Sequence, residues 1–351
     1  MNQRAFDLLD RLIATPSVSR NETATADIIE QHLIDNGVNA KRLKNNVWAL
    51  SENLDPALPT LLLNSHHDTV KPVAGYTRDP FLPSHSGGRI YGLGSNDAGG
   101  SVVSLIEAFI RLNKANTPVN LVLAISAEEE VSGRGGIELL LAHFKEIGLK
   151  IDMAIVGEPT GLDAAVAERG LMVIDCIAHG VSGHAARNEG VNALYKAIDD
   201  IERLKNFKFD HTSPTLGEIK ITVTQIEAGT QHNVIPDKCS FVADIRTTDA
   251  YSNEEIAAIL KQNIQADLTP RSTRLNASVI PASHPLVTAA VKLGATTFIS
   301  PTLSDRALMH GIPALKIGPG DSARSHTADE YIFENEIERA IDFYQQLILS
   351  L

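Results

Sequence analysis

Short, mostly apolar runs without alternation recur along the chain, and each ends at polar residues or at glycine. These runs are 61–63, 119–125, 151–156 and 314–317. Strands that are buried on both faces of a parallel sheet have this length and this unbroken hydrophobicity. Segments with the spacing of helices lie between the runs, at 23–36, 102–112 and 136–144. The pattern predicts an α/β domain with a mostly parallel sheet.

The middle of the chain has a different pattern. Apolar and polar residues partly alternate over three stretches, as in strands with one solvated face: 171–178, 218–225 and 238–246. Helical spacing at 192–204 and 253–267 separates them. We therefore expect a smaller α+β domain, residues 170–281, inserted into a larger domain formed by residues 1–169 and 282–351.

Composition and charge narrow the range of functions. The chain has 351 residues, 43% of them hydrophobic, which suffices for a large core, and its formal net charge is -12. Such acidity argues against nucleic acid as a partner. Acidic residues interrupt the N-terminus early, and no run approaches the roughly 18 apolar residues that a membrane span needs. Two cysteines, Cys176 and Cys239, form no disulfide framework. We expect a cytoplasmic protein without a membrane or nucleic-acid partner.

Residues that can bind metals follow several of the predicted strands. Because the carboxyl ends of parallel strands meet at one edge of a sheet, these side chains are expected to lie close together. A hydrolytic pair of metal ions needs a few imidazole nitrogens, several carboxylates and a further carboxylate to carry protons. His67 adjoins His66, but the His-x-Asp spacing favours His66 as the ligand. The candidates are His66, Asp68, Asp97, the run Glu128-Glu129-Glu130, Glu158 and His326.

The sequence resembles the M20 family of metallopeptidases and deacylases, in its branch of acetylornithine deacetylases and succinyl-diaminopimelate desuccinylases. The motifs that carry the resemblance span nearly the whole chain in the order of the family. They are Ser65-His66-His67-Asp68-Thr69-Val70, Gly92-Leu93-Gly94-Ser95-Asn96-Asp97, Ser126-Ala127-Glu128-Glu129-Glu130, Gly157-Glu158-Pro159-Thr160, Gly183-His184, Asn233-Val234-Ile235-Pro236, Asp244-Ile245-Arg246, and His326 with Asp329-Glu330.

The resemblance implies a zinc-peptidase-like catalytic domain with an inserted ferredoxin-like domain that serves for dimerisation and as a lid. It also implies two divalent metal ions, with zinc expected and cobalt or manganese as alternatives. His66 and Glu158 would bind one ion, Glu130 and His326 the other, and Asp97 would bridge them. In the family, the peptide bond after the bridging aspartate is cis, so we expect a cis bond after Asp97.

Roles in catalysis follow from the same resemblance. Glu129 would be the general acid and base, and Asp68 would hydrogen-bond the far nitrogen of His66. His184 would reach the active site of the partner subunit in a homodimer and stabilise the oxyanion. The remaining residues would contact the substrate: Asn233, Arg246 and Gly318.

Two assignments remain open in the sequence. If the register of the acidic run were shifted by one residue, Glu128 would be the base and Glu129 a ligand; Gly133 lies one place later than expected, whereas the segment before the run aligns well. Arg246 could instead pair with Asp244, since both side chains point to one face of a strand.

The function expected from this resemblance is hydrolysis of a small N-acyl amino acid. N-acetylornithine and N-acetylcitrulline, or their N-succinyl counterparts in arginine biosynthesis, are the leading substrates. A dipeptidase, a carboxypeptidase or a succinyl-diaminopimelate desuccinylase on the same scaffold is the alternative. A different class would be a non-catalytic protein that binds metal or amino acids, but no ligand and no base is missing from the sequence.

Overall fold

The computed structural model describes residues 2–187 and 189–351, which form two compact units. The first unit extends to Val166 and includes Ile280–Ile299 and Ser304–Leu351. The second comprises Ala167–Val279 and Ser300–Leu303. The predicted boundaries at residues 169 and 282 lie near the changes of unit after Val166 and Val279, whereas residues 300–303, assigned to the larger domain from the sequence, belong to the second unit.

The helices and strands of the described residues are numbered in chain order. The helices are α1 Gln3–Ile13, α2 Thr23–Asp35, α3 Gly100–Leu112, α4 Ile137–Glu146, α5 Ala193–Asn206, α6 Asn253–Asn263, α7 Pro285–Lys292 and α8 Glu334–Leu349. The strands are β1 Lys41–Leu43, β2 Asn46–Leu50, β3 Thr60–His66, β4 Ser84–Ser86, β5 Arg89–Tyr91, β6 Asn120–Ser126, β7 Met153–Val156, β8 Ala164–Glu168, β9 Gly170–His179, β10 Gly183–His184, β11 Lys220–Ala228, β12 Val234–Ile235, β13 Lys238–Thr247, β14 Asp267–Pro270, β15 Ser278–Val279, β16 Thr297–Ser300, β17 Ala314–Lys316 and β18 Tyr331–Phe333.

The large sheet has the strand order β1-β2-β6-β3-β7-β17-β8-β15, and β16 also pairs with β8. Its four central strands, β6, β3, β7 and β17, run parallel to one another. The outer strands β1, β2, β8 and β15 pair antiparallel with their neighbours. Every residue of β3 and β6 is buried, as expected of central strands covered on both faces. The prediction of an α/β domain with a mostly parallel sheet is confirmed.

Helices cover the central sheet and close its core. Helix α3 packs against α1 and α8. The inner face of α8 repeats at helical spacing and is fully buried, with Ile337, Ile341, Tyr344 and Ile348 among its residues. Because α3 begins directly after a turn at Ser95–Gly99, the position of this helix also fixes the turn that contains Asp97.

The second unit has a four-stranded antiparallel sheet in the order β11-β13-β9-β14. Apart from the separate two-stranded sheet β10-β12, its chain order of strands and helices, β9-α5-β11-β13-α6-β14, is that of a ferredoxin-like domain, as predicted. Residues of β9 alternate between buried and half-buried positions, which accounts for the period of two in the sequence.

One helix of the second unit was predicted too long. Helix α6 ends at Asn263, and Asp267–Pro270 forms the edge strand β14 instead of a last helical turn. Cys176 and Cys239 are both buried as free thiols. None of the helices among the described residues has the length and apolar character to cross a membrane.

Candidate metal centre

The carboxyl ends of three adjacent parallel strands supply donors at one edge of the large sheet. His66 is the last residue of β3 and lies opposite Ser126, the last residue of β6. Glu158 follows the end of β7, which pairs with β3 on its other side. Parallel pairing therefore brings His66, Glu158 and residues 128–130 to the same edge.

The imidazole of His66 is buried, with 1% of its side chain exposed. Its Nε2 atom lies 3.2 Å from Oδ1 of Asp97, 3.8 Å from Oε1 of Glu158 and 4.0 Å from Oε2 of Glu129. Across the ring, Nδ1 lies 3.0 Å from the carbonyl oxygen of Asp68 and 3.5 Å from its carboxylate. A proton on Nδ1 satisfies that carbonyl and leaves the Nε2 lone pair for a cation.

Asp97 lies between two histidines. Its Oδ1 atom is 3.2 Å from Nε2 of His66, and its Oδ2 atom is 3.6 Å from Nε2 of His326. Each oxygen of one carboxylate thus faces a different imidazole, which is the geometry that a bridging ligand requires. The peptide bond between Asp97 and Ala98 is cis, and that prediction is confirmed.

Glu130 and His326 form the other side of the cluster. The Nε2 atom of His326 lies 3.1 and 3.0 Å from the two carboxylate oxygens of Glu130. Donor atoms of His66, Asp97 and Glu130 all lie within 4.8 Å of one another. Imidazole nitrogens and carboxylate oxygens arranged in this way fit two divalent cations about 3.5–4 Å apart.

Asp68 holds the turn that follows β6. Its carboxylate is fully buried and accepts hydrogen bonds from the backbone N–H of Glu129 at 3.0 Å and of Glu130 at 3.2 Å. The hydroxyl of Ser19 donates a third hydrogen bond at 2.7 Å. Burial opposes its ionisation, but the contacts with His66 and these donors hold the pKa of Asp68 below its ordinary value.

The three consecutive glutamates point in different directions. Glu128 has a left-handed backbone conformation (φ 59°), and its carboxylate accepts the backbone N–H of Gly135 at 3.2 Å, on the loop side of the turn. Gly133 packs so closely against this carboxylate that a side chain there would collide with it. Glu129 and Glu130 face the histidines instead. The arrangement favours the register in which Glu130 is the ligand.

His67 is buried beside His66 but belongs to a different network. Its Nδ1 atom is 2.9 Å from the hydroxyl of Thr25, and its Nε2 atom is 2.9 Å from the carbonyl oxygen of Asn45. Burial lowers the pKa of His67 to about 4, so the ring is neutral. Both nitrogens have protein partners, whereas Nε2 of His66 faces the carboxylate of Asp97.

The centre concentrates acidic groups in a buried space. Burial raises the pKa of Glu158 to about 8 and raises the pKa of Glu129 well above its ordinary value. The hydrogen bond with Glu130 raises the pKa of His326 to about 9. Burial opposes the charged form of His66, yet the neighbouring carboxylates hold its pKa well above the usual range. Protons offset the crowded negative charge here, and divalent cations would replace them.

Comparison with known families gives this geometry a context. The profile of peptidase family M20/M25/M40 matches residues 62–350. The chain belongs to this family. The match confirms the predicted family and the predicted enzyme class, a dinuclear metal hydrolase of the M20 type.

Curated relatives align with almost the whole chain. A succinyl-diaminopimelate desuccinylase from Stenotrophomonas maltophilia (strain R551-3) is 28% identical, and one from Delftia acidovorans (strain DSM 14801 / SPH-1) is 24% identical. Each alignment covers 99% of this chain and 98% of the relative.

Solved M20 structures share the fold. Aminopeptidase PepT from Bacillus cereus superimposes with a TM-score of 0.78 at 20% identity, covering 100% of this chain and 98% of that one. A dinuclear metal-binding M20 peptidase from Bacillus subtilis gives 0.75 at 17% identity, covering 99% and 97%. This likeness concerns the fold, and it agrees with the predicted zinc-peptidase-like architecture.

Two further buried acids, Asp305 and Glu330, lie beside the M20 centre. Asp305 is 4% exposed and accepts a hydrogen bond from the hydroxyl of Ser126 at 2.7 Å; burial raises its pKa to about 6. Glu330 is 2% exposed and accepts three backbone N–H groups of residues 94–97. The sequence motif that contains Glu330 predicts no role for it, because only the folded chain brings this residue to that loop.

Gly318 packs beneath Glu158. The backbone N–H of Gly318 donates to the hydroxyl of Thr160 at 3.0 Å, and its carbonyl oxygen accepts the N–H of Leu162 at 2.8 Å. A Cβ at this position would lie 2.6 Å from the carbonyl oxygen of Glu158. Its observed contacts are therefore with the protein backbone, and a substrate contact stays a prediction.

The other predicted residues belong to the second unit. His184, in β10, is exposed, and its Nδ1 atom accepts the backbone N–H of Ala186 at 3.1 Å. Asn233 is exposed, and its carbonyl oxygen accepts the N–H of Ala185 at 2.9 Å. Their roles in catalysis and substrate binding stay predictions.

Proposed function

We propose that the protein hydrolyses the amide bond of a small N-acyl amino acid with two divalent cations. The observation that carries the proposal is the convergence of four side chains from distant parts of the chain around Asp97. His66 and Glu158 would hold one cation, Glu130 and His326 the other, and Asp97 both. Zinc is the expected metal. Cobalt and manganese are alternatives, because a ligand set rich in carboxylates accepts all three metals.

Two cations held in this way would polarise the acyl carbonyl and acidify a water molecule. The chain itself has to move the proton, and Glu129 is the group positioned to do so. Its Oε2 atom lies 4.0 Å from Nε2 of His66, at the border of the space between the ligands. Glu129 takes the proton of the attacking water and delivers it to the nitrogen of the departing amine.

His184 would assist from the partner subunit of a homodimer. Since its Nδ1 accepts the N–H of Ala186, the proton of the neutral ring is on Nε2. An exposed N–H of this kind can donate to the oxygen that gains negative charge when the carbonyl is attacked. The local hydrogen bond of His184 therefore supports a donor role.

Arg246 would bind the α-carboxylate of the substrate together with Asn233 and the backbone of Gly318. Its Nε and Nη2 atoms pair with the carboxylate of Asp244 at 2.8 and 3.2 Å. This pair holds the guanidinium plane in place, and Nη1 has no partner among the described residues. A planar guanidinium that is fixed on one side suits the recognition of a carboxylate.

Two groups of substrates have specific support. The sequence motifs favour N-acetylornithine and N-acetylcitrulline, or their N-succinyl counterparts, as substrates of an arginine-biosynthetic enzyme. The names of the curated relatives favour N-succinyl-diaminopimelate instead. Both groups are α-amino acids with an acylated amine, so the same centre would serve either.

A substrate panel tests the proposal. The protein is loaded with zinc or cobalt and assayed with acetyl- and succinyl-ornithine, acetyl- and succinyl-citrulline, succinyl-diaminopimelate and dipeptides. We expect turnover of an acyl amino acid above that of any dipeptide. Bound metal without hydrolysis of any member of the panel would contradict the proposal and favour a binding protein.

Substitutions in the acidic run test the proton-transfer role. Glu129→Gln removes the base but leaves the five proposed ligands intact, so we expect normal metal content and a loss of turnover of several orders of magnitude. Glu128→Gln is the matched control, because Glu128 contacts the loop at Gly135. If the control variant lost turnover and Glu129→Gln did not, the shifted register would be correct.

A further inference from the structure

Glu330 is a buried acid on which three backbone amides converge. Its Oε1 atom accepts the N–H of Asn96 at 2.8 Å and the N–H of Asp97 at 2.9 Å. Its Oε2 atom accepts the N–H of Gly94 at 3.0 Å. The side chain is 2% exposed, and more than two hundred residues separate it from this loop. The contact therefore forms only when the chain folds.

These amides belong to an irregular turn that lacks a regular hydrogen-bond ladder. Asp97 has φ -120° and ψ 96°, outside the helical region, although it directly precedes α3. Buried N–H groups that find no acceptor destabilise the fold, because they lose their hydrogen bonds to water. The Glu330 carboxylate supplies the acceptors for three of them, and one of the three is the amide of Asp97 itself.

The same segment of chain also carries a proposed ligand. His326 precedes Glu330 by four residues, and the strand β18 that follows Glu330 pairs with β5. The backbone carbonyl of Glu330 accepts the N–H of Gly92 at 3.0 Å, which adds a main-chain contact to the same loop. The segment that carries His326 is therefore hydrogen-bonded to the loop that carries Asp97.

We propose that Glu330 is a positioning residue that holds the Asp97 carboxylate between the two cations; this inference rests on the proposed ligand set. Glu330 does not touch the cations. It fixes the backbone from which the shared ligand projects, and it couples that backbone to His326. Partners of this kind behind metal ligands typically contribute about 10- to 100-fold to metal affinity.

Glu330→Gln tests the inference with little change of volume. The amide oxygen can still accept N–H groups on one side, but its NH2 group then faces an N–H donor on the other. We expect Zn²⁺ and Co²⁺ affinities, measured by competition with a chromogenic chelator, to fall about 10- to 100-fold. The visible spectrum of bound Co²⁺ should also change, because the geometry of the shared ligand is altered.

Asp200→Asn is the matched control. Asp200 is also a fully buried carboxylate that accepts backbone N–H groups, from Gln265 at 3.0 and 3.1 Å and from Ala266 at 2.8 Å. It lies in the second unit, so its substitution should lower the melting temperature and leave metal affinity and the Co²⁺ spectrum unchanged. A merely structural role of Glu330 would give the same result as this control.

Further outcomes separate the two proposals. If the native protein does not bind the metals, the proposed ligand set fails; if it binds them and Glu330→Gln binds them equally well, only the positioning role fails. Glu330→Asp is the substitute variant if Glu330→Gln does not fold. It keeps the negative charge, but its shorter side chain moves the carboxylate away from the three amide N–H groups. We expect weaker metal binding in this variant too, and native affinity in Glu330→Asp would overturn the inference.

Discussion

Removal of the divalent cations should reverse the pH dependence of the protein's stability. In the metal-free protein, the pKa of Glu158 is about 8 against an ordinary value of 4.5. Between these values the folded state binds a proton that the unfolded chain has lost, so stability falls as the pH rises. The raised pKa values of His66 and His326 act in the same direction: their contribution is present below pH 6.5 and is lost as the pH rises through their folded pKa values.

The metal-loaded protein should show the opposite slope. Its ligands are deprotonated in the folded state, so protons compete with the cations and stability falls as the pH falls. Each proton linked to unfolding changes the free energy of unfolding by about 1.4 kcal/mol per pH unit. Glu158 alone therefore gives a slope of about -1.4 kcal/mol per pH unit in the metal-free protein near pH 7, and the raised pKa values of His66 and Glu129 make the slope steeper. His326 is half exposed and adds less because solvent screens it.

Two measurements test this reversal. Melting temperatures between pH 6 and pH 8, recorded with a chelator or with excess Zn²⁺, should fall with pH in the first series and rise in the second. Calorimetric titration with Zn²⁺ at pH 7, in buffers of different ionisation enthalpy, should report release of about two to three protons.

A variant identifies the group that titrates. Glu158→Gln has no proton to lose, so the slope of the metal-free series should become shallower by about 1.4 kcal/mol per pH unit. Parallel pH dependence with and without Zn²⁺, together with no proton release, would refute the reasoning that cations replace protons at this centre.

Three further substitutions probe particular contacts. Gly318→Ala places a Cβ 2.6 Å from the backbone of Glu158, so we expect a stability loss of about 1–3 kcal/mol and reduced metal content, both measurable by thermal unfolding and elemental analysis. His67→Ala should cost stability without changing metal content, because both ring nitrogens bind protein groups; loss of metal would show that His67 is a ligand. Mixing inactive Glu129→Gln and His184→Asn proteins should restore part of the activity if His184 acts on the partner subunit, and no recovery in subunit-exchanged mixtures would oppose that arrangement.

The apolar runs of the sequence were sufficient to predict the centre of the large sheet. Strands β3, β6, β7 and β17 are buried on both faces, so each contains a short apolar segment that is visible without alternation. Strand β14 was missed for the opposite reason. It is four residues long, ends in a proline and lies at a sheet edge, where pairing with β9 determines its structure more than its own pattern does.

Single side chains of the candidate site could likewise be predicted only in part from the sequence. Spacing favoured His66 over its neighbour, but the structural reason, that His67 binds Thr25 and Asn45, depends on segments more than twenty residues away. No local pattern predicts that Glu330 meets the amides of residues 94–97. A sequence shows which residue type follows a predicted strand. It does not show that Glu330 contacts Asp97, because 233 residues separate them and only the fold brings them together.

The buried acids of this centre divide into two groups by their donors. Asp68 and Glu330 accept backbone N–H groups that offset the cost of burying a carboxylate. No backbone N–H among the described residues donates to the side chains of Glu129 or Glu158, which are 16% and 8% exposed. A buried carboxylate without such donors needs a proton or a cation. Acids of the first group therefore set the geometry of the loops, and those of the second group create the demand for positive charge that two divalent cations would meet.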